Sequence, residues 1–171
     1  MKKLFAFGIL LFAFSAGAFA QVSATAAASA TIVTPITISN TLSMEFGNVA
    51  VSPTVAGTVV MDPAGNRTPT AGVTLPAVTG TVRAASFNVG GTPNYTYSID
   101  ITPATATITN GGNSMTINNW TSNPDWQVTE GTLNGSGAQT ITVGGTLNVA
   151  AGQAAGPYTN ATAVTVTVNY N

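Results

Sequence analysis

The side chains that could support catalysis are few in this 171-residue sequence, which contains five acidic residues, no histidine and no cysteine. A catalytic triad, a cysteine nucleophile and a thiolate- or histidine-bearing zinc site all need one of the missing residue types. Asp125 and Glu130 are the acidic residues nearest in sequence. Five positions along a strand would place them far apart on opposite faces, unlike the carboxylate pair of a glycosidase. We therefore expect no catalytic residues and no enzyme.

Motifs for metals and phosphates are also missing. Residues 62–67 lack the alternating acidic ligands of a calcium loop. The glycine pairs at 90–91 and 144–145 fit neither G-x-G-x-x-G nor a Walker sequence. We interpret both pairs as turns, and we expect neither a metal nor a cofactor.

Two tryptophans are the best aromatic candidates for a binding surface. Trp120 and Trp126 flank a loop-like stretch at 121–125, and with Tyr158 they could form an exposed platform for a sugar or a peptide. The alternative is core packing, since a buried tryptophan commonly anchors a β-sandwich. The exposure of the two rings distinguishes these interpretations.

The first twenty residues are typical of a signal peptide. Two lysines precede an apolar run from residue 4 to residue 14, and residues 18–20 form an A-x-A cleavage pattern. A transmembrane helix would need about 20 apolar residues. We expect cleavage after Ala20 and export to the periplasm, the cell surface or the extracellular space, with no stable membrane span afterwards.

Removal of this leader leaves Arg67 and Arg83 against the five acidic residues. So weak a positive charge offers no basic patch, and we expect no nucleic acid as a partner. The arginines should form salt bridges with acids such as Asp62. Because the exported chain has no cysteine, its stability must come from a hydrophobic core.

The remaining sequence has the composition and periodicity of strands. Residues 95–102 and 164–170 each alternate apolar with polar side chains. Residues 110–113 (Asn-Gly-Gly-Asn) predict a hairpin turn, and residues 63–66 predict another turn. Segment 68–77, with two prolines, predicts a longer connection or an edge segment. Further strands are predicted at 29–39, 42–49, 57–62, 84–89, 126–130 and 138–149. This spacing predicts an all-β fold, a two-sheet β-sandwich, in one domain covering residues 34–171.

Residues 21–33 are predicted to be an N-terminal extension or the first strand. Every second position is apolar, and these positions are Val22, Ala24, Ala26, Ala28, Ala30 and Ile32. An extended conformation would turn all six to one side. A sheet protein with so few charges must cover its edges or use them, so this segment fits a donor strand that inserts into a groove of another subunit. The alternatives are a poorly ordered tail and the first strand of the domain's own sheet.

Four segments carry a resemblance to a known family. They are L-S-M-E-F-G-N-V at 42–49, G-T-V-V-M-D-P-A-G-N-R-T at 57–68, A-A-S-F-N-V-G-G-T-P-N-Y-T-Y-S-I at 84–99, and residues 143–171. Together they resemble an exported bacterial family catalogued as domain of unknown function 4402. The family has no established activity, so the resemblance implies a compartment and a fold rather than a function.

A more distant resemblance involves the L-x-x-x-F-G motif at 42–47, the Gly156-x-Tyr158 motif and the ending V-T-V-N-Y-N. These elements are similar to chaperone-usher pilins, especially the archaic type related to spore coat U proteins. That resemblance implies an immunoglobulin-like sandwich lacking one strand, which a neighbour's segment 22–32 would supply. It also implies a final strand that pairs with a periplasmic chaperone through Val164, Val166, Val168 and Tyr170. The chain departs from many pilins in having no disulfide and mostly alanines on the donor side.

Two functions follow as hypotheses. The first is a secreted, pilin-like structural subunit of a fimbrium or other surface assembly, polymerising by β-strand complementation. Its partners would be its own copies or a periplasmic chaperone. The alternative is a self-contained periplasmic or cell-surface sandwich that binds carbohydrate or protein through loops near Trp120 and Trp126.

Overall fold

The computed structural model describes residues 21–171, so the predicted signal peptide at 1–20 lies outside the described part. The chain divides into two units, residues 1–32 and residues 33–171. In the first unit, residues 21–32 have no regular secondary structure and their side chains are exposed. The second unit contains all the described strands.

Twelve β-strands and no helix are found within residues 21–171, which confirms the prediction of an all-β, sandwich-like fold. The strands are β1 (Thr37–Leu42), β2 (Ala50–Val51), β3 (Gly57–Met61), β4 (Arg67–Ala71), β5 (Val73–Thr74), β6 (Ala85–Gly90), β7 (Thr96–Thr102), β8 (Ala106–Asn110), β9 (Asn113–Asn123), β10 (Gly131–Thr132), β11 (Ala138–Val149) and β12 (Thr165–Tyr170).

The long strand β11 organises a seven-stranded antiparallel sheet. Its residues 138–143 pair with β6, its residues 145–149 pair with β3, and residues 142–148 pair with β9. Strand β1 extends the sheet beyond β6, β4 extends it beyond β3, and β8 extends it beyond β9. Two smaller sheets accompany it, one with the order β10-β7-β12 and one formed by β2 and β5.

Alternating side chains of the two main sheets form the core. Strand β7 contributes Tyr97, Ile99 and Ile101 from the smaller sheet, and β11 contributes residues such as Ile141 and Val143 from the larger one. The fully buried Tyr97 donates a hydrogen bond from Oη to Gln139 Oε1 of β11 at 2.7 Å. Because this bond joins the two sheets, the inward faces of β7 and β11 lie against each other.

Several strand predictions are confirmed, including the Asn110–Asn113 hairpin turn and the strand at 138–149. The glycine pair 144–145 lies inside β11, so its interpretation as a turn is wrong. A Cβ atom on Gly145 would lie 2.8 Å from the ring of Trp120, which gives this glycine a packing role. Strand β4 lies at the end of the sheet, where Pro69 needs no ladder partner for its missing N–H.

Three predicted strands differ from the structure. The first strand begins at Thr37, so residues 29–36 are not in a strand. Leu42 ends β1, and residues 43–49 form only an isolated bridge between Glu45 and Arg83. Residues 126–128 form a turn that the Thr129 N–H closes by donating to Asp125 O at 2.8 Å. Local β-propensity is thus outweighed in the last two segments by side-chain and turn hydrogen bonds.

Candidate functional site

A groove of about 1290 Å³ lies within residues 33–171. Its floor is the inward face of the large sheet, where apolar side chains from β6, β8, β9 and β11 line it, among them Phe87, Ile117, Trp120 and Leu147. Its walls are residues 43–51, which end in the short strand β2, and the irregular segment 153–164. An apolar floor between two backbone walls suits an extended peptide better than a compact polar metabolite.

The groove lies next to the edge strands of the two main sheets. Strand β1 is the outermost strand on one side of the large sheet, and β12 is the outermost strand of the small sheet. Wall 43–51 directly follows β1, and wall 153–164 directly precedes β12. Among the described residues neither β1 nor β12 has a strand partner on its outer edge, so their backbone groups there remain available for pairing.

At the other end the two edges are joined by Tyr170. Its Oη donates to Thr34 O at 2.9 Å and accepts from the Thr92 N–H at 2.7 Å. Its ring packs edge to face on Tyr95, with 5.6 Å between ring centroids. This contact ties the end of β12 to the segment that precedes β1, and none of its residues lines the groove.

Arginine side chains hold the first wall. Arg83 forms an ion pair with Glu45 at 2.7 Å and donates from Nε to Ser43 O at 3.0 Å. Arg67 donates to the backbone oxygens of Phe46 and Asn48. Since these bonds fix the backbone of residues 43–48, they explain why the L-x-x-x-F-G segment is ordered without being a strand.

The predicted arginine salt bridge is confirmed for Arg83 with Glu45, whereas Asp62, the acid named as an example, forms none within residues 21–171. Asp62 instead accepts from the N–H and the side-chain amide of Asn66, both at 2.8 Å. These hydrogen bonds lower the pKa of the Asp62 carboxyl below its usual value. The carboxylate therefore stabilises the predicted turn at 63–66.

Side-chain hydrogen bonds hold the second wall. Gln153 donates from Nε2 to Tyr158 Oη at 2.8 Å, and that hydroxyl donates to Ala154 O at 2.8 Å. Asn160 donates to Thr107 O at 2.9 Å, and an isolated bridge joins Thr159 to Thr109. The Gly156-x-Tyr158 motif of the sequence analysis is therefore part of the groove wall.

The six side chains of the predicted donor segment are all exposed, with Val22 at 93% and Ile32 at 97%. This segment is not the first strand of the domain's sheet, since that strand begins at Thr37. Exposure of six apolar side chains on alternate positions is unfavourable in water. A partner that covers them would remove this cost.

The predicted pairing strand corresponds to β12 and the residue before it, and the four side chains predicted for pairing lie on the inward side. Val166 and Val168 are buried, Val164 is half-buried and lines the groove, and Tyr170 makes the contacts described above. Because these side chains point inward, any further pairing of β12 would use its backbone.

The tryptophans do not form an exposed platform. Trp120 is only 6% exposed and donates from Nε1 to Pro103 O at 2.7 Å. Trp126 is half-buried and donates from Nε1 to Trp120 O at 3.3 Å. The core interpretation therefore holds for Trp120, and the platform interpretation of the pair is wrong.

The acidic residues are not gathered into a site. Asp125 and Glu130 are both exposed and lie outside the strands. Within residues 21–171 no three residues of the ligand types His, Cys, Asp and Glu are close enough to hold a metal ion. The same residues contain no helix with the length and hydrophobicity needed to cross a bilayer.

Comparison with known proteins gives one match. Residues 36–170 fit the model of a family described as Domain of unknown function (DUF4402). No curated protein and no solved structure shows significant similarity. The match covers the strands and both walls of the groove.

Proposed function

We propose that this chain, which belongs to the family of domain of unknown function 4402, is an exported, pilin-like structural subunit whose copies join by β-strand complementation. In this assembly an extended segment of one copy completes the sandwich of the next. The observation that supports it is the apolar groove whose walls, residues 43–51 and 153–164, directly follow edge strand β1 and directly precede edge strand β12.

An inserted strand could both bury apolar side chains in this groove and pair with a sheet edge. Its alternate apolar side chains would lie against the groove, where half-buried side chains such as Met44 and Ile108 are found. Its backbone N–H and C=O groups would pair with an outer sheet edge. Half-buried apolar side chains at the groove, such as Met115 and Val164, would gain burial at the same time.

The donor segment we propose is 22–32. Eleven extended residues span roughly 36 Å at about 3.3 Å per residue, which exceeds the roughly 20 Å of the six-residue β12. Four of its six apolar side chains are alanines, so each buries little surface. We therefore expect backbone pairing to contribute a larger share of the binding than side-chain anchoring.

Before assembly, the groove and the outer edge of β12 would have to be shielded by another protein, since an unpaired edge promotes aggregation. A periplasmic chaperone that adds a strand beside β12 would supply it. This part of the proposal rests on the resemblance of the final strand to those of pilins.

The experiment is deletion of residues 21–33 behind the leader in the exporting host. We expect the ladder of polymers on an unboiled denaturing gel to disappear, while monomer remains in a chaperone complex. Polymers of unchanged length would contradict the proposal.

A matched pair of substitutions tests which face of the donor segment enters the groove. Ala26 and Ala27 are adjacent and identical in type but lie on opposite sides of an extended segment. Ala26→Asp would bury a carboxylate in the groove and should abolish polymers, whereas Ala27→Asp should leave them. Equal effects of the two would show that the segment does not bind as a strand.

The alternative function, binding through loops near Trp120 and Trp126, gains no support from the burial of Trp120.

A further inference from the structure

The outward face of the large sheet carries a row of uncharged polar side chains across five strands. Thr70 of β4 pairs with Thr58 of β3, which pairs with Asn148 of β11. Asn148 pairs in turn with Thr116 of β9, and Thr116 pairs with Thr107 of β8. We call these five residues the hydroxyl–amide row. At about 4.8 Å between strands, the row is roughly 19 Å long.

Hydrogen bonds within the sheet fix the polar atoms of this row. The hydroxyl groups of Thr58 and Thr70 lie 2.6 Å apart, and Thr70 Oγ1 also accepts from the Thr58 N–H at 3.1 Å. The Asn148 amide nitrogen donates to Asn118 Oδ1 at 3.1 Å and to Thr116 O at 3.3 Å. Its amide oxygen and one hydroxyl hydrogen of the threonine pair therefore remain for a ligand.

A depression of about 600 Å³ lies over four of the five residues of the row. Thr58, Thr70, Thr116 and Asn148 line it, together with Gln153. The side-chain amide nitrogen of Gln153 donates hydrogen bonds to Ser114 O at 3.1 Å and to Tyr158 Oη at 2.8 Å. Its amide oxygen is thus a second acceptor at the end of the depression.

The chemistry of this depression selects against charged ligands. No acidic or basic side chain lines it, so neither an anion nor a cation would gain an ion pair there. Two amide oxygens and a threonine hydroxyl pair are suited instead to ligand hydroxyl groups, which both donate and accept. Its volume lies in the ordinary range of small-molecule sites, about 300–1,000 Å³.

We propose that the hydroxyl–amide row binds an uncharged, hydroxyl-rich glycan chain lying across the strands. The spacing of the row is close to the length of one sugar residue, so successive residues of the glycan meet successive strands. Ligand hydroxyls donate to the amide oxygens of Asn148 and Gln153 and accept from the Thr58–Thr70 pair. The row itself is on the outward face of the sheet, opposite the floor of the groove, and Gln153 is a residue that lines both the depression and the groove.

The test uses the purified exported chain and four insoluble neutral polysaccharides: cellulose, chitin, starch and cross-linked dextran. Polygalacturonate gel is the acidic comparison. Binding is measured as depletion of protein from the supernatant over a range of concentrations. We expect binding to at least one neutral polysaccharide and none to polygalacturonate.

Paired substitutions locate the site. Thr58→Val with Thr70→Val keeps the side-chain shape but removes both hydroxyl groups, and should raise the Kd about tenfold, as expected for loss of one to two hydrogen bonds. Thr140→Val with Thr142→Val, on β11 outside the depression, is the matched control and should leave the Kd unchanged. Melting temperatures of both variants report whether the fold is retained.

Three results would overturn the proposal. They are no binding of the unsubstituted chain to any of the four neutral polysaccharides, equal loss of binding in both variant pairs, and binding only to polygalacturonate. A change of oligomer mass in the Thr58/Thr70 variant, with glycan binding unaltered, would also overturn it, because the face would then be a contact between copies.

Discussion

At the scale of single residues, Tyr170 shows how a side chain can determine where two strands meet. Its hydroxyl bonds the backbone of Thr34 and of Thr92, which are remote in sequence from it and from each other. The sequence marks Tyr170 only through the resemblance of the chain ending to pilins. Its two partners are backbone groups, which leave no trace in residue type, so they could not be predicted.

Tyr170→Phe should destabilise residues 33–171 by about 1–3 kcal/mol, because two hydrogen bonds of about 0.5–1.5 kcal/mol each are lost. Thermal unfolding followed by circular dichroism measures the effect. Tyr95→Phe is the matched control, since the Tyr95 hydroxyl makes no hydrogen bond within residues 21–171 while its ring packs on Tyr170. A similar loss of stability in both variants would show that the two hydrogen bonds of the Tyr170 hydroxyl are not its cause.

Tyr97 predicts a loss of stability at alkaline pH. Burial raises the pKa of its hydroxyl from 10.0 to about 12, because ionisation is unfavourable in the core. The unfolded chain therefore loses this proton first. The contribution to stability is complete below pH 10 and is lost as the pH rises from 10 to about 12.

Urea unfolding midpoints at pH 8 and pH 11 test this dependence. Tyr97→Phe should lower the midpoint at pH 8, since the bond to Gln139 is lost. It should also reduce the further fall between pH 8 and pH 11. An equal fall of the urea midpoint between pH 8 and pH 11 in the unsubstituted chain and in Tyr97→Phe would show that Tyr97 does not cause the fall.

At the scale of elements, strands with strict alternation are predictable because one face is buried. Strands β7 and β12 follow their sequence pattern for this reason. Residues 42–49 have comparable strand propensity, but Arg67 and Arg83 bind their backbone instead. Such a contact between distant segments cannot be read from a local pattern.

Gly145 of strand β11 is packed so closely against Trp120 that a larger side chain should disturb the core. A Cβ atom at Gly145 would lie 2.8 and 3.0 Å from two ring carbons of Trp120 and 3.2 Å from Ile117 Cγ2. Gly145→Ala should therefore destabilise the protein by about 1–3 kcal/mol and shift the tryptophan fluorescence. Gly112→Ala, where no atom lies within 4 Å of the new Cβ, should do neither. An unchanged fluorescence spectrum in Gly145→Ala would contradict this account of the glycine.

At the scale of the whole molecule, composition predicts the fold class and the need to protect sheet edges, but not which edges stay open. The groove depends on its two walls, which are held by hydrogen bonds between residues distant in sequence. The alternation at 22–32 is visible in the sequence. Its six exposed side chains fit the proposal of a donor strand.

Strand complementation predicts that a separate peptide stabilises the truncated domain. A peptide of residues 21–33, added to the chain lacking those residues at about 100 times its Kd, should stabilise the folded state by about 2.7 kcal/mol. That corresponds to a rise in Tm of roughly 5–10 °C for a domain of this size. The Ala26→Asp peptide should have no effect, because its carboxylate would face the apolar floor, while the Ala27→Asp peptide should act like the original. If none of the three peptides changes the Tm, the groove does not accept this segment, and assembly would need another contact between copies.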